Sequence, residues 1–144
     1  MKTSRARLAA ASAAAAFNLF AFGQAFALSD SSLPPMKTQG SVTYLTGGIG
    51  KDEADALRAV APKYPLALEF VQNAKPKGEF LANVDVTIKD HAGKTVIDTV
   101  SDGPFLLAKL PPGRYTVVAE VRGQSRTLET TLASHRPRHL IVVW

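Results

Sequence analysis

Along most of the chain the apolar positions recur at every second residue, and the breaks between runs fall on Gly, Pro, Asp and Asn. Phe80, Ala82, Val84, Val86 and Ile88 lie on one face of such a run, with Asn83, Asp85, Thr87 and Lys89 on the other. A period of two is the side-chain period of a β-strand, so the first set is expected in a core and the second in water. The same pattern predicts strands at 42–44, 66–70, 94–100, 105–110, 115–121, 126–132 and 139–144. Residues 105–110 are apolar on both faces. The alternation of Arg126, Leu128, Thr130 and Leu132 against Thr127, Glu129 and Thr131 suits an edge strand guarded by charge.

The connections have turn chemistry. Asp90-His91-Ala92-Gly93, Ser101-Asp102-Gly103-Pro104 and Leu110-Pro111-Pro112-Gly113 each combine a preset φ, a side-chain cap or a glycine. One segment departs from period two. Residues 51–61 place Asp52, Glu53 and Asp55 in the first turns, where the helix dipole favours anions, and Leu57, Val60 and Ala61 on one stripe. Pro62 and Pro65 end that helix. The prediction is a mainly β fold: an antiparallel β-sandwich of about seven strands, with one short helix near the N-terminus of the mature domain.

The first residues change the picture of composition. Lys2, Arg5 and Arg7 precede an alanine-rich apolar run at 8–22, and Ala25-Phe26-Ala27 forms a small-x-small cleavage site. This is the layout of a secretory signal peptide, and the run is shorter than the roughly 20 apolar residues of a spanning helix. Residues 1–27 are therefore read as a signal peptide cleaved near Ala27, 28–40 as a flexible lead-in, and 41–144 as the domain. The expected address is the periplasm or beyond, with no membrane span in the mature protein. The chain has no cysteine, and Leu28 stands where a lipoprotein would need one, so neither disulfides nor a lipid anchor are expected.

Loss of the leader takes three positive charges and lowers the formal net charge from +5 to +2. That balance gives no support to nucleic-acid binding, which needs a dense Lys/Arg face. The remaining positive charge is concentrated late: Arg122, Arg126, Arg136 and Arg138 are opposed there only by Glu129. These arginines are a candidate patch for an anionic partner, though charges that merely keep a sheet edge solvated are the preferred explanation.

The order of Val84-Asp85-Val86-Thr87-Ile88-Lys89-Asp90, the Gly93 turn, Gly103-Pro104-Phe105 and Leu110-Pro111-Pro112-Gly113-Arg114-Tyr115-Thr116-Val117 resembles the carboxypeptidase regulatory-like sandwich module, the CNA-B-like and transthyretin-like group. The chain as a whole is similar to small exported proteobacterial proteins that carry this domain. The resemblance implies a prealbumin-like β-sandwich that is non-catalytic in most contexts. The residues of its chemically active branches are missing here. The last strand has neither Asn nor Asp for an isopeptide bond, the chain ends Ile-Val-Val-Trp instead of Tyr-Arg-Gly-Ser, and no metallocarboxypeptidase zinc motif occurs.

A second candidate site is the stretch from Gly47 and Gly48 through Gly50 to Asp52, Glu53 and Asp55, with Tyr44 and Tyr64 flanking it. Several carboxylates after a glycine loop could take Ca²⁺, but the spacing of a calcium loop is absent, and dipole complementation or pairing of Asp55 with Lys51 or Arg58 explains them as well. The glycines fit neither a P-loop nor a dinucleotide loop. His135 and His139 are separated by Pro137 and have no third ligand. No nucleophile elbow or catalytic set is marked, so no catalytic residue, metal or cofactor is assigned. The expected function is an exported, non-enzymatic module that binds an envelope protein or glycan. The alternative is a small-ligand or carbohydrate-binding domain using residues 47–55, and a hydrolase comes last.

Overall fold

The structure, a computed structural model, describes residues 32–144. The predicted signal peptide and the first positions of the lead-in lie outside the described residues. The element order is β1 (Lys37–Gln39), β2 (Val42–Gly47), α1 (Lys51–Val60) with a 3₁₀ turn at Ala61–Lys63, β3 (Leu66–Gln72), β4 (Glu79–Phe80), β5 (Val84–Asp90), β6 (Thr95–Ser101), β7 (Phe105–Lys109), β8 (Gly113–Val121), β9 (Gln124–Leu132) and β10 (Arg138–Val143). The protein is mainly β, with one short helix, as the alternation predicts.

Two sheets face each other. The first runs β1-β2-β7-β3-β10, with β4 added to the end of β3, and the second runs β6-β5-β8-β9. Side chains of both inner faces interdigitate in the main core, which holds Leu66, Leu68, Phe70, Val84, Val86, Ile88, Ile97, Leu106, Val117 and Val142. Most of these are fully buried, and each large aliphatic or aromatic side chain so placed contributes about 1.5–3 kcal/mol relative to exposure.

A second, smaller core lies behind the first sheet. The outer-face residues Leu45, Ala67, Phe105 and Leu107 are covered there by Ala54 and Leu57 of α1 and by Tyr64. This explains why β7 is apolar on both faces: Leu106 and Ala108 face the other sheet, while Phe105 and Leu107 face the helix. The helix amphipathicity has the same origin, since Leu57 is fully buried while Lys51, Asp52 and Asp55 face water.

Four details differ from the sequence expectation. The strands among the described residues number ten, because two very short ones, β1 and β4, lack any run long enough to show a period. β1 sits inside the predicted lead-in and pairs with β2 through Lys37↔Tyr44 and Gln39↔Val42, so the paired domain begins before residue 41. The sandwich is not antiparallel throughout: β10 runs parallel to β3, Arg138 opposite Leu66 and Val143 opposite Val71. β10 enters beside the start of β3, where the Arg138 N–H donates to the Pro65 carbonyl at 2.9 Å, and can only continue in the same direction. Finally, Phe80 does not share the face of Val84. The chain leaves the first sheet after Phe80, turns through Asn83 at φ 56°, and enters the second at Val84, which leaves Phe80 53% exposed.

Candidate functional site

The glycine-rich stretch is built as a junction. Gly47 ends β2, and the Gly48 N–H donates to Glu53 Oε1 at 2.7 Å, so the Glu53 carboxylate caps the loop that opens α1. Gly48 has φ 102°, and a Cβ there would stand 2.4 Å from the Phe105 ring. A Cβ on Gly103 would stand 2.3 Å from the Gly47 carbonyl oxygen, so two backbone segments touch where side chains cannot fit. Gly50 precedes the helix at φ 89°.

The acidic residues are spent locally. Asp55 is paired with Lys51 and, at 3.2 Å, with Arg58, and the Lys51 ammonium holds its carboxyl below the usual carboxylate range with help from Arg58. Asp52 is exposed on the first turn. Among the described residues no group of three His, Asp or Glu side chains could hold a metal ion. Tyr44 is not brought to this loop: it is 6% exposed and packs between the two sheets. Tyr64 is buried on the opposite side of the first sheet, under the Lys109 ammonium 5.6 Å from its ring centroid. The two tyrosines therefore form no exposed platform.

The four late arginines do not form one patch. Arg122 and Arg126 lie near the end of β10: Arg122 donates to Gln72 Oε1 at 3.2 Å, and Arg126 Nε donates to the Val143 carbonyl at 2.9 Å with its guanidinium over Trp144. Arg136 and Arg138 lie at the start of β10, beyond the turn in which the Arg136 N–H donates to Ala133 O. The length of β10, about 3.3 Å per residue, separates the pairs. Trp144 half-buries against the main core, 6.3 Å from Phe70, and its indole N–H donates to Gln124 O at 2.9 Å, tying the C-terminal end of β10 to the start of β9.

Between these pairs is a surface that the sequence pattern does not mark. The registers align three rows across the outer face of the first sheet: Val143, Val71 and Phe80; Ile141, Glu69 and Phe105; His139, Ala67 and Leu107. The helix covers the β2–β7 half of that face and reaches only as far as Ala67 of β3. On the other half Ile141 is 54% exposed, Val143 47% and Phe80 53%. Where the halves meet, a groove of about 320 Å³ is floored by Ala67 and Phe105 and rimmed by Arg58, Arg138, His139 and Glu69. Arg58 stacks over Phe80 and Phe105, 5.3 and 5.2 Å from their centroids, and His139 Nε2 lies 3.1 Å from Glu69 Oε2. A broader hollow of about 560 Å³ opens beside it, between the prolines at 62 and 65 and the loop 133–137.

No protein-family model matches the chain, and no curated protein matches it.

Proposed function

We propose that the protein is an exported, non-enzymatic β-sandwich module of the carboxypeptidase regulatory-like type, which docks an envelope protein on the uncovered half of its helix-bearing sheet. The single observation that carries this is the row Val143–Val71–Phe80, exposed at both ends and half-buried at Val71, with exposed Ile141 beside it. Adjoining apolar side chains left in water on a rigid sheet, rimmed by charge, are the composition of a protein-binding surface. Export is supported by the leader pattern of residues 1–27, and the domain type by the turn at 110–115, where the Tyr115 hydroxyl donates to the Pro111 carbonyl at 2.7 Å. A glycan site built on Tyr44 and Tyr64 has no support in their placement, because stacking on a sugar requires an open ring face.

The test is site-specific photo-crosslinking in the native envelope. A photoreactive residue at position 141 is expected to give a discrete protein adduct that the same residue at position 92, in the turn after β5, does not give. Adducts at both positions alike, or at neither, would overturn the reading.

A further inference from the structure

We propose that the open edge of β10 is completed by an extended segment of the partner that alternates acidic and aliphatic residues, adding a strand to the first sheet. This deepens the docking role above and rests on it.

The ladder between β3 and β10 is fixed at both ends. The Arg138 N–H donates to Pro65 O at 2.9 Å, the Trp144 N–H to Val71 O at 3.0 Å, and the Asn73 N–H to Trp144 O at 2.8 Å. With a period of two, residues 138, 140, 142 and 144 turn their peptide groups to β3. His139, Ile141 and Val143 turn theirs to the open side, where β10 pairs with no other strand among the described residues. One of these groups is taken: Val143 O accepts from Arg126 Nε. Among the described residues both groups of His139, both of Ile141 and the Val143 N–H remain, a template for one short strand.

Charge selects the occupant. Arg136 and Arg138 stand at one end of this edge and Arg126 at the other, while Arg114 and Arg138 line a polar hollow beside it with Glu129. The nearby acids are Glu129 and Glu69, and Glu69 faces His139. A second copy of the chain would bring its own arginines against Arg126, Arg136 and Arg138 and meet like charge. An acidic segment meets opposite charge. Its alternate residues would fall on the outer face beside Ile141 and Val143, so those positions call for aliphatic side chains.

The probe is a ten-residue peptide of alternating Glu and Val, with a Lys/Val peptide as control, added to the exported protein while amide hydrogen exchange is followed residue by residue. The Glu/Val peptide is expected to slow exchange at His139 and Ile141 by on the order of tenfold, leaving the already bonded Leu140 and Val142 unchanged. Ile141→Pro removes an outward donor without touching the β3 ladder and is expected to abolish that protection. The paired reversals Arg136→Glu and Arg138→Glu, which leave the backbone intact, are expected to transfer preference to the Lys/Val peptide. Equal protection by both peptides, no protection at 139 and 141, or protection that rises with protein concentration without peptide would overturn the proposal. A crosslink at 141 with unprotected amides would refute strand addition while leaving docking standing.

Discussion

Gly103 shows most directly what a single position can forbid. Its missing side chain lets β2 and the turn before β7 approach until a Cβ would lie 2.3 Å from Gly47 O and 2.5 Å from Gly47 C. Both obstacles are backbone, so no rotamer relieves the contact. Gly103→Ala is expected to cost about 1–3 kcal/mol by forcing the two segments apart, read as a lower urea midpoint at unchanged slope. In sequence, Gly-Pro-Phe reads as a turn, and the close approach is invisible because Gly47 stands more than fifty positions away. Tyr115 is the opposite case. Its place two residues after Gly113, on the apolar face of a strand, makes its burial legible, and only the partner of its hydroxyl had to come from the structure.

At the scale of elements, the loop leading into α1 is held by a carboxylate that the sequence offers in plain view. Asp52, Glu53 and Asp55 are equivalent in a dipole argument, yet their roles separate: Asp55 pairs within the helix, Asp52 faces water, and Glu53 reaches back to the Gly48 N–H. Charge-assisted hydrogen bonds of this kind contribute about 1.5–3 kcal/mol. Glu53→Ala is therefore expected to speed amide exchange at Gly48 and lower stability by about that amount, whereas Asp52→Ala changes stability by less than about 0.5 kcal/mol. Strands with four or more alternating residues were legible for the same reason that helix was, since a buried face must repeat at the period of its backbone. The rest had no such signal. Lys37, Thr38 and Gln39 contain no apolar residue, and their strand exists because β2 offers an edge. Phe80 continues the alternation of Val84 on paper, and one left-handed residue, Asn83, puts it on a different sheet. The exposed rows depend on register between β3, β4 and β10, which no local pattern specifies.

At the scale of the whole molecule, the two sheets are tied at both edges. On one, Lys37 and Thr46 of the first sheet both donate to Asp102 Oδ2 at 3.0 Å, just after β6, and the Asp98 N–H donates to Gln39 Oε1 at 2.9 Å. On the other, Arg126 and Trp144 join β9 to β10. The bonds from Lys37 and Thr46 hold the Asp102 carboxyl below the usual carboxylate range. A folded-state pKa that is lowered contributes stability above the unfolded value, and this is lost as pH falls through the folded one. Because the Asp102 side chain is 64% exposed, the contribution is small. Asp102→Asn is expected to lower stability by less than about 1 kcal/mol at neutral pH and to become indistinguishable from wild type once acid has protonated the Asp102 carboxyl in the folded protein, measured by urea denaturation across an acid pH series.

The parallel pairing of β10 with β3 also sets a clock. Glu69 and His139 are neighbours across that pair although 70 positions separate them, whereas the second sheet is assembled largely from adjacent hairpins. Long closures are entropically slow compared with short ones. The chain has one tryptophan, and Trp144 is seated only when β10 is in place against Phe70 and Gln124. Its emission is thus a built-in stopwatch for the closing event: after dilution from denaturant, circular dichroism should develop first and the Trp144 signal after it. Coincident traces would mean that the distant pair forms in the folding nucleus itself.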